Sequence, residues 1–369
     1  MADNSGIEWT DTTWNPITGC SVVSPGCTNC YAMGLAGTRL RNHPSRAGLT
    51  REVNGHHVWT GEVRLNEQWL DQPLRWTRSR RIFVCAHGDL FHGSVPDAWL
   101  DRVFAVMALA PQHTFQVLTK RPDVMLDYIQ RRTRDWRAVL STANPHGSLY
   151  HCSTDRAQRA LGALPPLPND PPPPPWPLPN VWLGVSVEDQ RRADERIPDL
   201  LATPAAVRFL SCEPLLGPLA GTTKVTVAGE TTVTNWLTGT WQTFAGDHYR
   251  CGHLLGRAKL DWVIAGGESG PKARRSHPDW FRSLRDQCQA AGVPFFFKQW
   301  GEWAPVPEGS DEARAAFPHN GWQMLRGHEG PIAHAEELYP EGGAVFVARV
   351  GKTRAGALLD GREWREMPR

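Results

Sequence analysis

Six short apolar runs recur along the chain at helix-length intervals, and this rhythm is the strongest constraint on the fold. They are Ile82-Phe-Val-Cys-Ala, Thr114-Phe-Gln-Val-Leu, Val181-Trp-Leu-Gly-Val, Val207-Arg-Phe-Leu, Leu260-Asp-Trp-Val-Ile-Ala and Pro294-Phe-Phe-Phe. Helical patterns lie between them at 98–109, 123–140, 189–203 and 278–291. Short β-branched and aromatic runs alternating with such segments predict parallel βα units. Each run ends in polar or charged residues: His87-Gly-Asp89, Thr119-Lys120-Arg121, Ser186-Val-Glu188, Ser211-Cys-Glu213, Gly266-Gly267-Glu268 and Lys298-Gln299. In a (β/α) barrel the C-terminal strand ends form the active-site face. The same change of character also marks a strand leaving the core of any α/β protein.

Two segments interrupt the rhythm. Residues 142–180 contain Leu164-Pro-Pro-Leu-Pro-Asn-Asp-Pro-Pro-Pro-Pro-Pro-Trp, a polyproline or disordered insertion that could also dock in an aromatic groove. Residues 220–258 read as a β-hairpin insertion, and 302–369 as a C-terminal extension with one strand at 344–350. Before the first run, 7–19 reads as an irregular strand, 31–42 as a helix, 43–66 as loop and Asn66–Thr77 as helix-like.

Lys and Arg total 40 against 38 Asp and Glu, a net charge of +2, which is not the balance of a protein that grips duplex nucleic acid through many phosphates. A local basic groove remains compatible with it. The N-terminus has no apolar stretch of the signal-peptide kind, and no run is long enough to span a bilayer. The expectation is a cytoplasmic protein away from membranes, in which cysteines stay reduced.

Three of the eight cysteines, Cys20, Cys27 and Cys30, fall within eleven residues with Cys-x6-Cys-x2-Cys spacing. Three thiolates leave one position of a metal centre open for chemistry, whereas a structural zinc site takes four ligands. The reading is a [4Fe-4S] cluster with one iron left for a small molecule. Zinc completed by Cys85, Cys212 or a histidine is the alternative. His248-x-x-Cys251-x-His253 also has a metal-like spacing, inside the second insertion.

A family resemblance rests on a set of motifs. They are Trp9-Thr-Asp-Thr-Thr-Trp-Asn-Pro, Gly19-Cys20, Gly26-Cys27-Thr-Asn-Cys30-Tyr-Ala, Asp89-Leu-Phe and Leu118-Thr-Lys-Arg-Pro, then Trp182-Leu-Gly-Val-Ser-Val-Glu, Ser211-Cys-Glu-Pro-Leu-Leu-Gly, Gly266-Gly-Glu-Ser-Gly-Pro and Phe295-Phe-Phe-Lys-Gln-Trp-Gly. In these the chain resembles the phage-associated three-cysteine family grouped with radical S-adenosylmethionine proteins, whose genetic neighbours are the three-Cys-motif partner proteins. The resemblance implies a partial (β/α) TIM-like barrel over 1–301 and a cluster on Cys20, Cys27 and Cys30. It also implies S-adenosylmethionine chelating the open iron, an external electron donor, and hydrogen abstraction following reductive cleavage of a carbon–sulfur bond. The first cysteine gap departs from the common radical S-adenosylmethionine spacing of Cys-x3-Cys-x2-Cys.

Among the strand ends, the resemblance assigns Asp89 to the methionine ammonium; capping of the next helix is its other reading. Ser186 and Glu188 are candidates for ribose or carboxylate contacts. Gly266 and Gly267 allow close backbone approach to a ligand, with Glu268 beside them, although such turns are also ordinary between strand and helix. Glu188, Glu213 and Lys298 are the catalytic candidates; a paired-carboxylate hydrolase built on Glu188, Glu213 and Glu268 would leave the cysteines without a role. Lys120, Arg121, Lys272, Arg274, Arg275, His277 and Lys298 could form a cationic rim for a phosphate-bearing substrate, a nucleotide or nucleic-acid component in DNA repair or base modification. A metal-bearing nucleic-acid- or partner-binding protein without radical chemistry is the competing function. Most of the seventeen tryptophans are expected to pack in the core or at its rim.

Overall fold

The computed structural model describes residues 5–133, 176–246, 248–254, 258–306, 322–326, 330–331 and 345–368. The fold is α/β. Its principal sheet has seven strands: β1 (Thr12–Trp14), β2 (Arg81–Val84), β3 (Thr114–Thr119), β4 (Val181–Ser186), β5 (Val207–Cys212), β6 (Trp262–Ala265) and β7 (Phe295–Phe297), in sequential order. All six apolar runs are strands of this sheet, and β1, from the irregular segment before the cysteines, is the seventh. The sheet is compatible with a partial (β/α) barrel.

The chain divides into two compact units. The first comprises Met1–Ser24, Cys30–Val185 and Ala202–Arg208. In it β1 pairs with β2, β2 with β3 and β3 with β4, all parallel. Ile82, Val84, Phe115 and Val117 are fully buried, as expected of parallel strands covered on both faces. Helix α2 (Asp97–Leu109) buries Leu100, Val103, Phe104 and Met107, one stripe at helical spacing. Each such side chain is worth about 1.5–3 kcal/mol on full burial. Helix α3 (Pro122–Thr133) holds Tyr128, whose hydroxyl donates to Asp101 at 2.9 Å. After Cys30, α1 (Tyr31–Gly37) is shorter than the 31–42 expected. It packs Ala32, Met33 and Ala36 against Leu49 and Trp59.

Two local expectations are corrected here. Residues 43–66 are not all loop: Thr50–Val53 and His56–Trp59 form a hairpin. Asn66–Thr77 is not one helix but two 3-10 turns, Glu67–Trp69 and Gln72–Arg75. Pro73 has no N–H to continue a helix, and the Asn66 side chain caps none of the free amides.

The second unit comprises Pro25–Asn29, Ser186–Leu201 and Phe209–Arg369. Here β6 lies between β5 and β7, parallel to both. Helix α4 (Gln190–Ala202) buries Ala193, Ile197, Leu200 and Leu201. Helix α5 (Pro278–Ala290) buries Phe281, Leu284 and Cys288. His277 caps α5 by accepting the Asp279 amide on Nδ1 at 3.1 Å, and Pro278 occupies the first helical position, where its missing N–H costs nothing.

The 220–258 insertion is larger than one hairpin. Thr222–Val227, Glu230–Asn235, Thr240–Ala245 and His248–His253 form a four-stranded antiparallel meander. Alternation along the last strand puts Cys251 and His253 on one face and His248 on the other, so the metal-like spacing does not converge. In the C-terminal region the strand expected at 344–350 is Val345–Arg349, paired with Trp303–Pro305 and Trp322–Arg326. Farther on, Phe297 N–H donates to Trp364 O at 2.9 Å, and Phe296 bridges Arg365 antiparallel. The last residues therefore cover the outer edge of β7. Most of the proline-rich insertion lies outside the described residues. Among the described residues no helix is long and apolar enough to cross a membrane.

Candidate functional site

In the first unit the site is built around Asp89, just past the end of β2. Its carboxylate is buried and fully engaged. Oδ1 accepts from Phe91 N at 3.0 Å and Thr119 Oγ1 at 2.7 Å; Oδ2 accepts from Lys120 N at 3.3 Å and Arg121 Nη1 at 2.6 Å. A carboxylate has about four in-plane acceptor positions. Asp89 fills them from within the protein, so it neither caps α2, which starts at Asp97, nor offers an ammonium a place without displacing Arg121.

Arg121 carries this anchor to the cysteine segment. Nη1 also lies 3.7 Å from Cys20 Sγ, and Nη2 donates to Ser21 Oγ at 2.7 Å and to Ser21 O at 3.2 Å. Burial works to lower the Arg121 pKa, but the negative charges of Asp89 and Cys20 outweigh it and raise it above its ordinary value. Ser21 Oγ hydrogen-bonds His92 Nε2 at 3.0 Å. His92 is held below the usual histidine range, chiefly by burial and then by the Arg121 charge. Behind Cys20, Gly19 has φ +98°, and a Cβ there would stand 2.1 Å from Glu62 O, so only glycine passes. Cys20 and Cys30 both pack against the Ala32–Met33–Trp59 cluster. The Tyr31 hydroxyl donates to Ala86 O at 2.6 Å.

In the second unit the short piece Pro25–Asn29, which contains the buried Cys27, is held by two strand-end carboxylates, Glu188 and Glu268, and by Arg274. Gly26 lies against Glu188: a Cβ on residue 26 would be 2.2 Å from Glu188 Oε1. Glu188 is completely buried, and Oε2 pairs with Arg196 Nη1 at 3.0 Å. The same Nη1 donates to Ser186 O at 2.7 Å. Glu268, beyond β6, accepts from Arg274 Nε at 2.8 Å, Arg274 N at 2.7 Å and Asn29 Nδ2 at 3.0 Å. Arg274 Nη1 in turn donates to Pro25 O at 2.9 Å. Burial pushes the Glu268 pKa up, but the Arg274 and Asn29 hydrogen bonds prevail and hold it below its ordinary value.

Two sequence candidates thus act as fasteners: Glu188 lies under the cysteine segment, and Glu268 clamps it. Ser186 contributes its carbonyl to Arg196. The third carboxylate is different. Glu213 is only partly buried and takes both Lys298 Nζ contacts, at 2.7 and 3.0 Å. Gly266 runs beside this pair; a Cβ there would lie 3.4 Å from Lys298 Cβ and 3.6 Å from Glu213 Cδ. Gly267 crosses Trp300 O so closely that a Cβ would be 1.8 Å away. That glycine serves chain packing. Arg275 lies over the Trp303 ring at 4.1 Å, and Arg349 donates to Pro271 O at 2.8 Å.

All three motif cysteines are free of disulfides. As a donor set they fit an iron–sulfur cluster: three soft thiols on one short segment, one of them facing a guanidinium. Among the described residues no three His, Cys, Asp or Glu side chains stand close enough to hold a metal ion. The contributions of Gly26, Asn29, Ser21 and Arg196 were not apparent from sequence. Only the Gly26-Cys27-Thr-Asn-Cys30 grouping marked the first two.

The profile of the family described as "Protein of unknown function (DUF5131)" matches residues 4–368. Neither the curated proteins nor the solved structures contain a match to this chain.

Proposed function

The chain belongs to the DUF5131 family, and we propose that it is an iron–sulfur enzyme of the radical S-adenosylmethionine type acting on a nucleotide or nucleic-acid component. The observation that carries this reading is the contact of Arg121 with Cys20. A guanidinium anchored on a buried carboxylate favours the thiolate of Cys20, and thiolate is the form that ligates metal. Cys20, Cys27 and Cys30 would hold the cluster, and the sheet would be a partial barrel of the radical S-adenosylmethionine type. Bound there, the cluster and S-adenosylmethionine supply one-electron reduction and hydrogen abstraction.

The protein's own residues have three tasks in this scheme. Arg121 and Ser21 hold the start of the cysteine segment, and Arg274, Asn29 and Glu188 hold its middle. Glu213 and Lys298, paired at the ends of β5 and β7, are the groups able to move a proton at the substrate. Lys120, Lys272 and Arg275 supply positive charge for a phosphate. An external electron donor and a three-Cys-motif partner protein complete the proposal.

Anaerobic reconstitution tests it. The expected result is about four irons and matching sulfide per chain, with broad visible absorbance. Added reductant and S-adenosylmethionine then release 5′-deoxyadenosine. Stoichiometric zinc without that absorbance would favour a binding protein without radical chemistry. Retention of iron by a Cys27→Ala variant would overturn the ligand assignment.

A further inference from the structure

The first unit contains a buried cation with no counter-charge among the described residues. Arg46 is 5% exposed and forms no ion pair among the described residues. Both of its hydrogen bonds leave from Nη1, to Ser45 Oγ at 2.5 Å and Ser45 O at 3.5 Å. Its Nε is buried without a partner. The Trp69 ring, 5.9 Å away, covers one side of the guanidinium. Leaving a guanidinium unpaired in a protein interior is strongly unfavourable, and natural structures pair such groups.

The neighbouring groups deepen the anomaly. Arg64, whose charge acts on Arg46, donates to the backbone carbonyls of Pro44 and Ala47 and pairs with no carboxylate among the described residues. Cys85 is buried, and its thiol is pushed up to about 12 by burial, so it is neutral and cannot balance the charge. Arg46 itself is lowered by burial to about 10, which leaves it protonated at neutral pH. His87 Nδ1 is a second buried polar atom with no partner. Ser45, the residue before Arg46, and His87 are bonded to the consecutive residues Thr18 and Gly19. Thr18 Oγ1 donates to Ser45 O at 2.7 Å, and Gly19 N donates to His87 O at 3.2 Å.

We propose that Arg46 and His87 form a binding site for a compact oxyanion, the carboxylate or phosphate group of a small ligand. The Nε side of the guanidinium presents the forked donors that such a group takes side-on. The unpartnered His87 Nδ1 offers the same group a further donor or acceptor. The site needs no metal and stands independently of the cluster.

The test uses the full chain in sodium chloride, titrated with sodium phosphate or sodium acetate at constant ionic strength. Thermal unfolding and titration calorimetry are the readouts. Either oxyanion should raise the wild-type melting temperature saturably, as a ligand of the folded state does. A response to phosphate alone identifies a phosphate-bearing ligand; a response to acetate identifies a carboxylate. Arg46→Met, which removes the unpaired charge at similar volume, should melt higher than wild type in chloride and lose the response. Arg46→Lys and His87→Gln should each bind about tenfold or more weakly, the loss expected for one charge-assisted hydrogen bond. The proposal is overturned if wild type responds to neither anion, or if Arg46→Met responds as wild type does. Should Arg46→Met not fold, undiminished responses in both Arg46→Lys and His87→Gln would overturn it equally.

Discussion

Gly26 and Glu188 are packed so closely that the glycine hydrogen occupies the only room available: a methyl group there would sit 2.2 Å from Oε1 and 2.5 Å from Cγ of the glutamate. Glu188 cannot retreat, because it is fully buried and tied to Arg196. Gly26→Ala should therefore destabilise the protein by about 1–3 kcal/mol, the usual cost of overpacking, and should lower iron incorporation on reconstitution. Gly34, in α1, has open space at its Cβ position. Gly34→Ala should instead stabilise by about 0.5–1 kcal/mol. Urea midpoints for the two variants separate a packing constraint from a general intolerance of the cysteine region.

The Glu188–Arg196 pair makes a sharper prediction because both partners are buried. Arg196→Met alone strands a carboxylate in the interior and should cost about 3–5 kcal/mol. Glu188→Gln combined with Arg196→Met removes the stranded charge and should recover much of that loss. Equal destabilisation of the single and double variants, measured by chemical denaturation, would show that the pair is not coupled.

Glu268 predicts an acid-sensitive clamp. Its folded pKa lies below the ordinary value of 4.5. A depressed carboxylate stabilises fully above that value and loses its contribution as pH falls through the lower folded pKa. Glu268→Gln should be less stable than wild type at neutral pH, by about 1.5–3 kcal/mol for hydrogen bonds to a charged group. The difference should shrink below pH 4.5. Melting curves across that range, compared between the two proteins, provide the check.

His87 acts over a higher window. Burial, and then the Arg46 charge, lower its pKa from 6.5 to about 4. The folded state therefore resists a proton that the unfolded state accepts. Stability is complete above pH 6.5 and is lost progressively as pH falls toward 4. In chloride buffer this loss should be on the order of 1–3 kcal/mol. His87→Gln should flatten the curve between those limits; an unchanged slope would remove His87 as the source.

The sheet was legible because parallel strands buried on both faces leave an uninterrupted apolar signature, as in Ile82–Val84 and Phe295–Phe297. The strand ends were legible as a class for the same reason. Their individual roles were not. Nothing in the order of residues shows that Asp89 spends its acceptors on Thr119 and Arg121, or that Glu188 sits beneath Gly26. Those relations join residues far apart in the chain and depend on side-chain reach. Arg46 was invisible for a related reason: an arginine in a loop reads as a surface charge until its burial is known. The meander was underestimated because threonine-rich strands alternate weakly, so only part of it stood out from the surrounding loop.

The edge of β7 is closed by residues from the far end of the chain. Phe297 bonds to Trp364, Phe295 N–H donates to the Glu366 carboxylate at 2.9 Å, and Trp262 Nε1 donates to Glu366 O at 2.8 Å. During synthesis, Phe295–Phe297 emerges well before the segment that covers it, and translation proceeds at only about 5–20 residues per second. For seconds the nascent chain carries a three-phenylalanine strand with an unpaired edge, a template for joining another chain. A polypeptide that ends before Trp364 and Glu366 lacks the groups that bond to this strand and leaves its edge open to another chain.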